Sequence, residues 1–163
     1  MNKKPYALQL AAKQRIRKEY GGISEHVLRR IHDASAASRK QTISDMIASL
    51  ESRLETAVFR LNLAPSVKSA RQLITHRKIK VNGKITTAPS YKLKIGDEIE
   101  IQDKMADILQ PQLEQQAQKH DVPSYFEVIK PERKGKFINI PNIEDIPYSE
   151  NVEPNLVIEF YAR

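Results

Sequence analysis

The side chains best equipped for chemistry in this chain are cations and amides, and they crowd into one stretch. Arg53, Arg60, Lys68, Arg71, Gln72, His76, Arg77, Lys78, Lys80, Asn82 and Lys84 fall within 32 positions, and no Asp or Glu interrupts Lys68 to Lys84. Several cations on one rigid element are what phosphate groups require, and arginine forks add bidentate contacts. The chemistry this predicts is recognition of a polyanion, with the N-terminus of a helix at Ser66 adding amide donors.

Other chemistries find little support. The chain has no cysteine, which rules out disulfides, thiol nucleophiles and cysteine-rich zinc sites. The histidines, His26, His32, His76 and His120, are never paired at helical ligand spacing, so no metal and no cofactor is expected. Asp97, Glu98, Glu100 and Asp103 form an acidic cluster. Alternating glutamates on an edge strand usually face water or guard the edge, so no catalytic residue is assigned there. A glycine-rich phosphate loop is absent. No apolar run reaches the roughly 18 residues of a membrane span, and the polar start lacks the apolar stretch of a signal peptide. The reading is a soluble, intracellular protein with neither a membrane partner nor a small-molecule substrate.

The elements that must position the cations follow from periodicity. The 163 residues carry a net charge of +7, divided into +12 over residues 1–84 and −5 over residues 85–163. Residues 6–20 are rich in helix formers and end at Gly21-Gly22. Ser24 caps a second helix to about Ala37, and Ser35 to Gln41 reads as a loop. Thr42 opens a third helix whose apolar stripe, Ile43 to Leu61, continues through about five turns, with Glu51, Arg53, Glu55 and Arg60 on the other side; a break near Ser52 stays open, although the periodicity does not require one. Ser66 caps a short helix with Ala70, Leu73 and Ile74 on one face and Lys68, Arg71, Gln72 and Thr75 on the other. The period then drops to two around an Asn82-Gly83 hairpin turn, again over Tyr91 to Ile95, and again over Glu98 to Ile101. Residues 104–121 are helical in composition, with Pro111 suited to a first turn. Strands are predicted at Tyr125 to Ile129, Phe137 to Ile140 and, most strongly, Leu156 to Tyr161. Tyr125-Phe126 reads as core rather than a base-stacking pair. The class is α+β: a helical subdomain over 1–52, a helix-helix-strands module over 53–103, and a β-rich extension over 104–163 ending in a strand.

Residues Leu54 to Ile101, through Arg60-Leu61, Ser66, Ala70-Arg71-Gln72-Leu73-Ile74, His76, Val81-Asn82-Gly83, Pro89-Ser90-Tyr91 and Gly96-Asp97, closely resemble the RNA-binding module of the bacterial-type small-subunit ribosomal protein four family. The helix ending at Tyr20-Gly21 and the close Asn155 to Tyr161 resemble that family outside the module. The resemblance implies a structural, non-enzymatic binder of small-subunit ribosomal RNA. It implies a place on the 5′ domain beside ribosomal protein five, near the mRNA entry side, and an early role in assembly. Carried over by position, the RNA-facing residues are Arg53, Arg60, Ser66, Lys68, Arg71, Gln72, His76, Arg77, Lys78, Lys80, Asn82, Lys84, Ser90 and Tyr91. Lys13, Gln14, Arg17 and Lys18 make a second face. Asn82 stands open between an RNA contact and a purely turn-forming role. Two rivals share the module: a free-standing RNA-binding factor, and an RNA-modifying enzyme, for which a catalytic domain does not fit in this length. The family's basic N-terminal arm is missing and the end is acidic and proline-rich. These departures suggest a mitochondrial-matrix ribosome, with a bacterial cytoplasm as the alternative. The acidic end is expected to meet protein neighbours or cover the chain's own helices.

Overall fold

The structure, a computed structural model, describes residues 3–36, 42–148 and 152–162, and among them the class is α+β, as the sequence indicates. The described chain divides into two compact units, Met1–Leu50 with Asn142–Arg163, and Glu51–Pro141. Residues 104–163, read from the sequence as one extension, are therefore shared between the two.

The first unit contains α1 (Lys3–Glu19), α2 (Glu25–Ala36), most of α3 (Thr42–Glu51) and, from the far end of the chain, α7 (Pro154–Tyr161). Gln9, Ala12, Lys13, Ile16 and Tyr20 repeat at three- and four-residue steps and form the buried stripe of α1. That stripe meets α7, which also touches α2. Ser24 caps α2 by accepting a bond from the Val27 amide at 3.2 Å. Ser35 and Ala36 still belong to α2. The rest of the loop expected through Gln41 lies outside the described residues, as does Ser149 to Asn151.

The closing strand predicted at Leu156 to Tyr161 is a helix. Nearly every residue there is apolar, so a period of two and a period of 3.6 both fit. Packing selects the second, because Pro154 and Val157 bury together on one helical face. Pro154 at the first helical turn is the local signal for this outcome, since its missing N–H costs nothing there.

The second unit sets two helices, α4 (Leu54–Arg60) and α5 (Val67–Thr75), with a five-stranded antiparallel sheet. Its strands are β1 (Ile79–Val81), β2 (Lys84–Ile85), β3 (Glu98–Ile101), β4 (Phe126–Lys130) and β5 (Lys134–Phe137), in the order β2-β1-β3-β5-β4. Ile79, Val81, Ile99, Ile101, Phe126 and Phe137 supply the sheet's share of the core. Tyr125 and Phe126 are both core, as their composition indicates. A Cβ on Gly135 would fall inside the van der Waals shell of Leu61, so this strand glycine leaves room for the Leu61 side chain, just past α4, against β5. The strand foreseen at Phe137 to Ile140 lies earlier in the chain, at β5, where Lys134 to Phe137 pair with both β3 and β4.

The apolar stripe from Thr42 to Leu61 is carried by two helices, α3 and α4, which break at Ser52-Arg53, where the sequence leaves a break open. A competing use of the backbone explains the break. The Leu54 amide donates to the Tyr91 carbonyl at 2.8 Å, the Glu55 amide to the Pro89 carbonyl at 3.0 Å, and the Leu93 amide to the Ser52 carbonyl at 2.8 Å. Residues 89–93 thereby cap α4 with backbone oxygens. They are not the strand predicted for Tyr91 to Ile95; their ladder pairing is a single bridge, Arg53 to Lys92.

Helix α6 (Asp103–Lys119) runs through Pro111 instead of starting near it. An interior proline forfeits one hydrogen bond and costs about 3 kcal/mol. Burial of Ala106 and Leu113 offsets that cost, as does Arg133, whose Nη2 donates to Asp107 Oδ1 at 2.6 Å.

Candidate nucleic-acid interface

Helix α5 begins as its sequence requires. Ser66 is extended (φ −154°, ψ 164°) and its Oγ accepts the Ser69 amide at 3.0 Å. Val67, Ala70 and Ile74 face the core, which turns Lys68, Gln72 and Thr75 to solvent and leaves Arg71 half-buried beside them. At the far end the Lys78 amide reaches the Leu73 carbonyl (2.9 Å) and the Arg77 amide reaches that of Ile74 (3.1 Å). This closing motif puts Arg77 in the left-handed region at φ 65°, where glycine is the usual occupant. An exposed arginine therefore stands at a position that favours glycine on conformational grounds alone, the pattern of strain kept for function.

The hairpin that follows holds the next cations. Asn82 (φ 52°) and Gly83 (φ 79°) make the turn between β1 and β2, and Lys80 and Lys84 flank it. Asn82 Nδ2 donates to Asp97 Oδ1 and Asn82 Oδ1 accepts the Glu98 amide, both at 2.9 Å. Asp97 Oδ2 accepts the Lys94 amide at 2.9 Å. Both ends of the Asn82 side chain are engaged within the fold, which gives it a turn-forming and bracing role. Part of the acidic cluster is likewise explained: Asp97 is this brace, and Glu98 pairs with Lys134 at 2.8 Å. Hydrogen bonding to Lys134 holds the Glu98 carboxyl below its ordinary value and raises the Lys134 ammonium.

One carboxylate organises the arginines. Glu55 is only 1% exposed. Its Oε2 accepts Arg71 Nε at 2.7 Å, and its Oε1 faces Arg53 Nη2 at 3.3 Å. The loop that caps α4 carries Ser90 and Tyr91, both exposed, so they stand beside this clamp. From Ser66 to Lys92 the chain contains seven Lys and Arg and no acid. The result is a cationic surface built on α5, the β1–β2 hairpin and the loop before β3, with its arginines aimed from within.

Several predicted residues sit elsewhere. Arg60, placed on an outer face by the sequence reading, is 5% exposed and pairs with the fully buried Glu51 at 3.0 Å and 3.1 Å. Tyr125 Oη also donates to Glu51. The α3–α4 break rotates these polar groups inward, so Arg60 braces the core and leaves the surface. Lys13 is similarly enclosed, 2.9 Å from Glu25 and 4.2 Å from the centre of the Phe160 ring. Arg17 donates through Nε to the Ile23 carbonyl at 2.8 Å and through Nη1 to Gln14 Oε1 at 2.9 Å. Gln14 and Lys18 are exposed. His76, Arg77 and Lys84 are exposed, while Lys78 and Lys80 are half-buried. The sequence reading missed Glu55 as the clamp and Lys92 as an exposed neighbour of Arg53. A lone acid among cations was the available signal for the first.

The helix pair, hairpin and basic face define a protein carrying an S4 domain, and residues 52–99 match that family. Relatives extend the match across the chain. "Small ribosomal subunit protein uS4" of Paramagnetospirillum magneticum is 44% identical over 163 residues, covering 99% of this chain and 80% of the relative. The protein of the same name from Rhodospirillum rubrum is 38% identical, covering 97% and 78%. That from Rickettsia canadensis is 39% identical, covering 97% and 77%. The chain belongs to the bacterial-type uS4 family of small ribosomal subunit proteins.

Proposed function

We infer that this protein is a structural constituent of the small ribosomal subunit, binds the subunit's RNA, and is not an enzyme. Family membership supports this role, and the structural observation that carries the mechanism is the acid-free cationic face from Ser66 to Lys92, with Arg53 and Arg71 oriented by Glu55. A rigid, preshaped array of cations binds folded RNA through its backbone geometry, and each phosphate neutralised releases counterions.

The finer assignment is a place on the 5′ domain of the RNA, beside protein five and near the mRNA entry side, with binding early in assembly. The resemblance to the family supports it. Within the face, the contacts are assigned to Lys68, Arg71, Gln72, His76, Arg77, Lys78, Lys80, Lys84, Ser90 and Tyr91, with Arg53 at the clamp. Gln14, Arg17 and Lys18 form the second face, on α1. For location, the ribosome is the compartment. The bacterial relatives favour a bacterial cytoplasm and lend no support to a mitochondrial matrix.

Filter binding to a small-subunit rRNA transcript over a salt series tests the reading. Charge reversal at Lys68 and Lys84, both exposed and outside the Glu55 clamp, should weaken binding and reduce the slope of log affinity against log salt by roughly 0.7–0.9 per lost phosphate contact. An unchanged slope and affinity would remove the face from the mechanism. Reversal at Arg71 is a poorer test, because it would set a second carboxylate against Glu55.

A further inference from the structure

We propose that the cavity between α5 and α6 receives one unpaired base of the bound RNA. This rests on the RNA-binding reading above and extends it from phosphates to a base.

The cavity measures about 330 Å³, within the roughly 300–1,000 Å³ of small-ligand sites. Leu73 of α5 and Leu109 and Leu113 of α6 give it apolar walls. Gln116, one turn beyond Leu113, also lines it and is 6% exposed. Its Nε2 has no hydrogen-bond partner among the described residues. Folded proteins rarely leave a buried amide nitrogen unmatched, and a turn of the Gln116 side chain toward the cavity it lines would offer that nitrogen to a ligand. The occupant must therefore be apolar on its faces and polar at one edge.

Charge and continuity identify it further. Among the described residues no carboxylate lines the cavity, whereas His76 and Lys78 do. Gln72 and His76 belong both to the cavity and to the basic face, so the two sites share a border. A strand whose phosphates follow that face presents its bases at the cavity mouth, beside the planar His76 ring. Proteins that read RNA by sequence do so mainly at unstacked bases, holding the faces on flat or apolar groups and the edges by hydrogen bonds. An apolar helix from a neighbouring protein would fill the volume and leave Gln116 unmatched.

The test uses the full chain and a small-subunit rRNA transcript, with chemical probing of Watson–Crick edges. The variants are Gln116→Leu, which removes the amide, and Leu109→Phe, which fills the cavity from a half-buried position. The expected result is that one unpaired nucleotide protected by the wild-type chain loses protection with both variants. Affinity should fall about 10-fold, as for loss of a base contact, with an unchanged salt slope. Wild-type affinity and footprint in both variants would overturn the proposal. So would normal binding to naked rRNA with impaired entry into the subunit, which would assign the cavity to a protein. The charge reversal at Lys68 and Lys84 serves as a separate arm. If it leaves rRNA binding intact, the basic face fails as the RNA site regardless of Gln116.

Discussion

Arg71 Nε lies 2.7 Å from Glu55 Oε2, so an arginine on the outward side of α5 is held from the first turn of α4. The acid is buried and the arginine is 38% exposed in its side chain, so the pair runs from the core to the surface. The pair trades one unit of positive charge for a fixed direction.

Glu55→Ala separates those two effects. Stability should fall by about 1–3 kcal/mol in urea unfolding, the cost of losing charged hydrogen bonds discounted for solvent exposure. Affinity for rRNA should also fall, although the variant is more positive. A gain in affinity would mean that the number of charges matters and their placement does not.

Arg60 should behave in the opposite way. Arg60→Ala leaves the buried Glu51 carboxylate with Tyr125 as its remaining partner from this cluster, a loss of about 3–5 kcal/mol for breaking a buried pair. Once the folded fraction is accounted for, the salt slope of RNA binding should match wild type, because Arg60 meets no phosphate.

Arg77→Gly should stabilise the free protein by up to about 1 kcal/mol, since glycine adopts φ 65° without the steric cost an arginine carries. The same change should weaken rRNA binding. Thermal unfolding and filter binding on one preparation would measure both, and a variant that is less stable would show that the arginine braces the fold.

Acid should loosen the first unit through Glu25. Burial pushes this carboxyl up, but hydrogen bonds from Lys13 and Tyr161 outweigh it and hold it below its ordinary 4.5. The unfolded chain therefore binds the proton more tightly. The stabilisation is present above pH 4.5 and is lost as pH falls through the lower folded value. Glu25 is partly exposed, so the effect should not exceed about 1 kcal/mol. Melting temperature followed into the acid range should fall less steeply for Glu25→Gln than for wild type. The partner titrates at the other end: burial first, then the bond to Glu25, pushes the Tyr161 phenol well above 10.0, so it stays protonated through mildly alkaline pH.

Much of the second unit was legible because its signals are local. Ser66 caps α5, Ala70 and Ile74 set its inner face, and Asn82-Gly83 takes the two positive φ values its turn requires. The C-terminal helix was misread, because an almost wholly apolar segment carries both periods: Pro154 was its one local signal, and packing on α1 settles the choice. The α3–α4 break could only be left open near Ser52, since what fixes it are carbonyls more than 30 residues away, at Pro89 and Tyr91.

The sequence by itself determined the charge and its place: an uninterrupted cationic run on a short capped helix and a hairpin, within an α+β frame. Charge, capping and periodicity act over a few residues, so neighbours in the chain suffice to read them. Only the tertiary structure decided which cations reach solvent. Lys13 and Arg60 have the same residue types as Lys68 and Arg71, yet Glu25 and Glu51 hold the first two inside while the others keep an outward side. The reason is that a buried cation requires a carboxylate beside it, and whether one is there depends on contacts between elements distant in the chain.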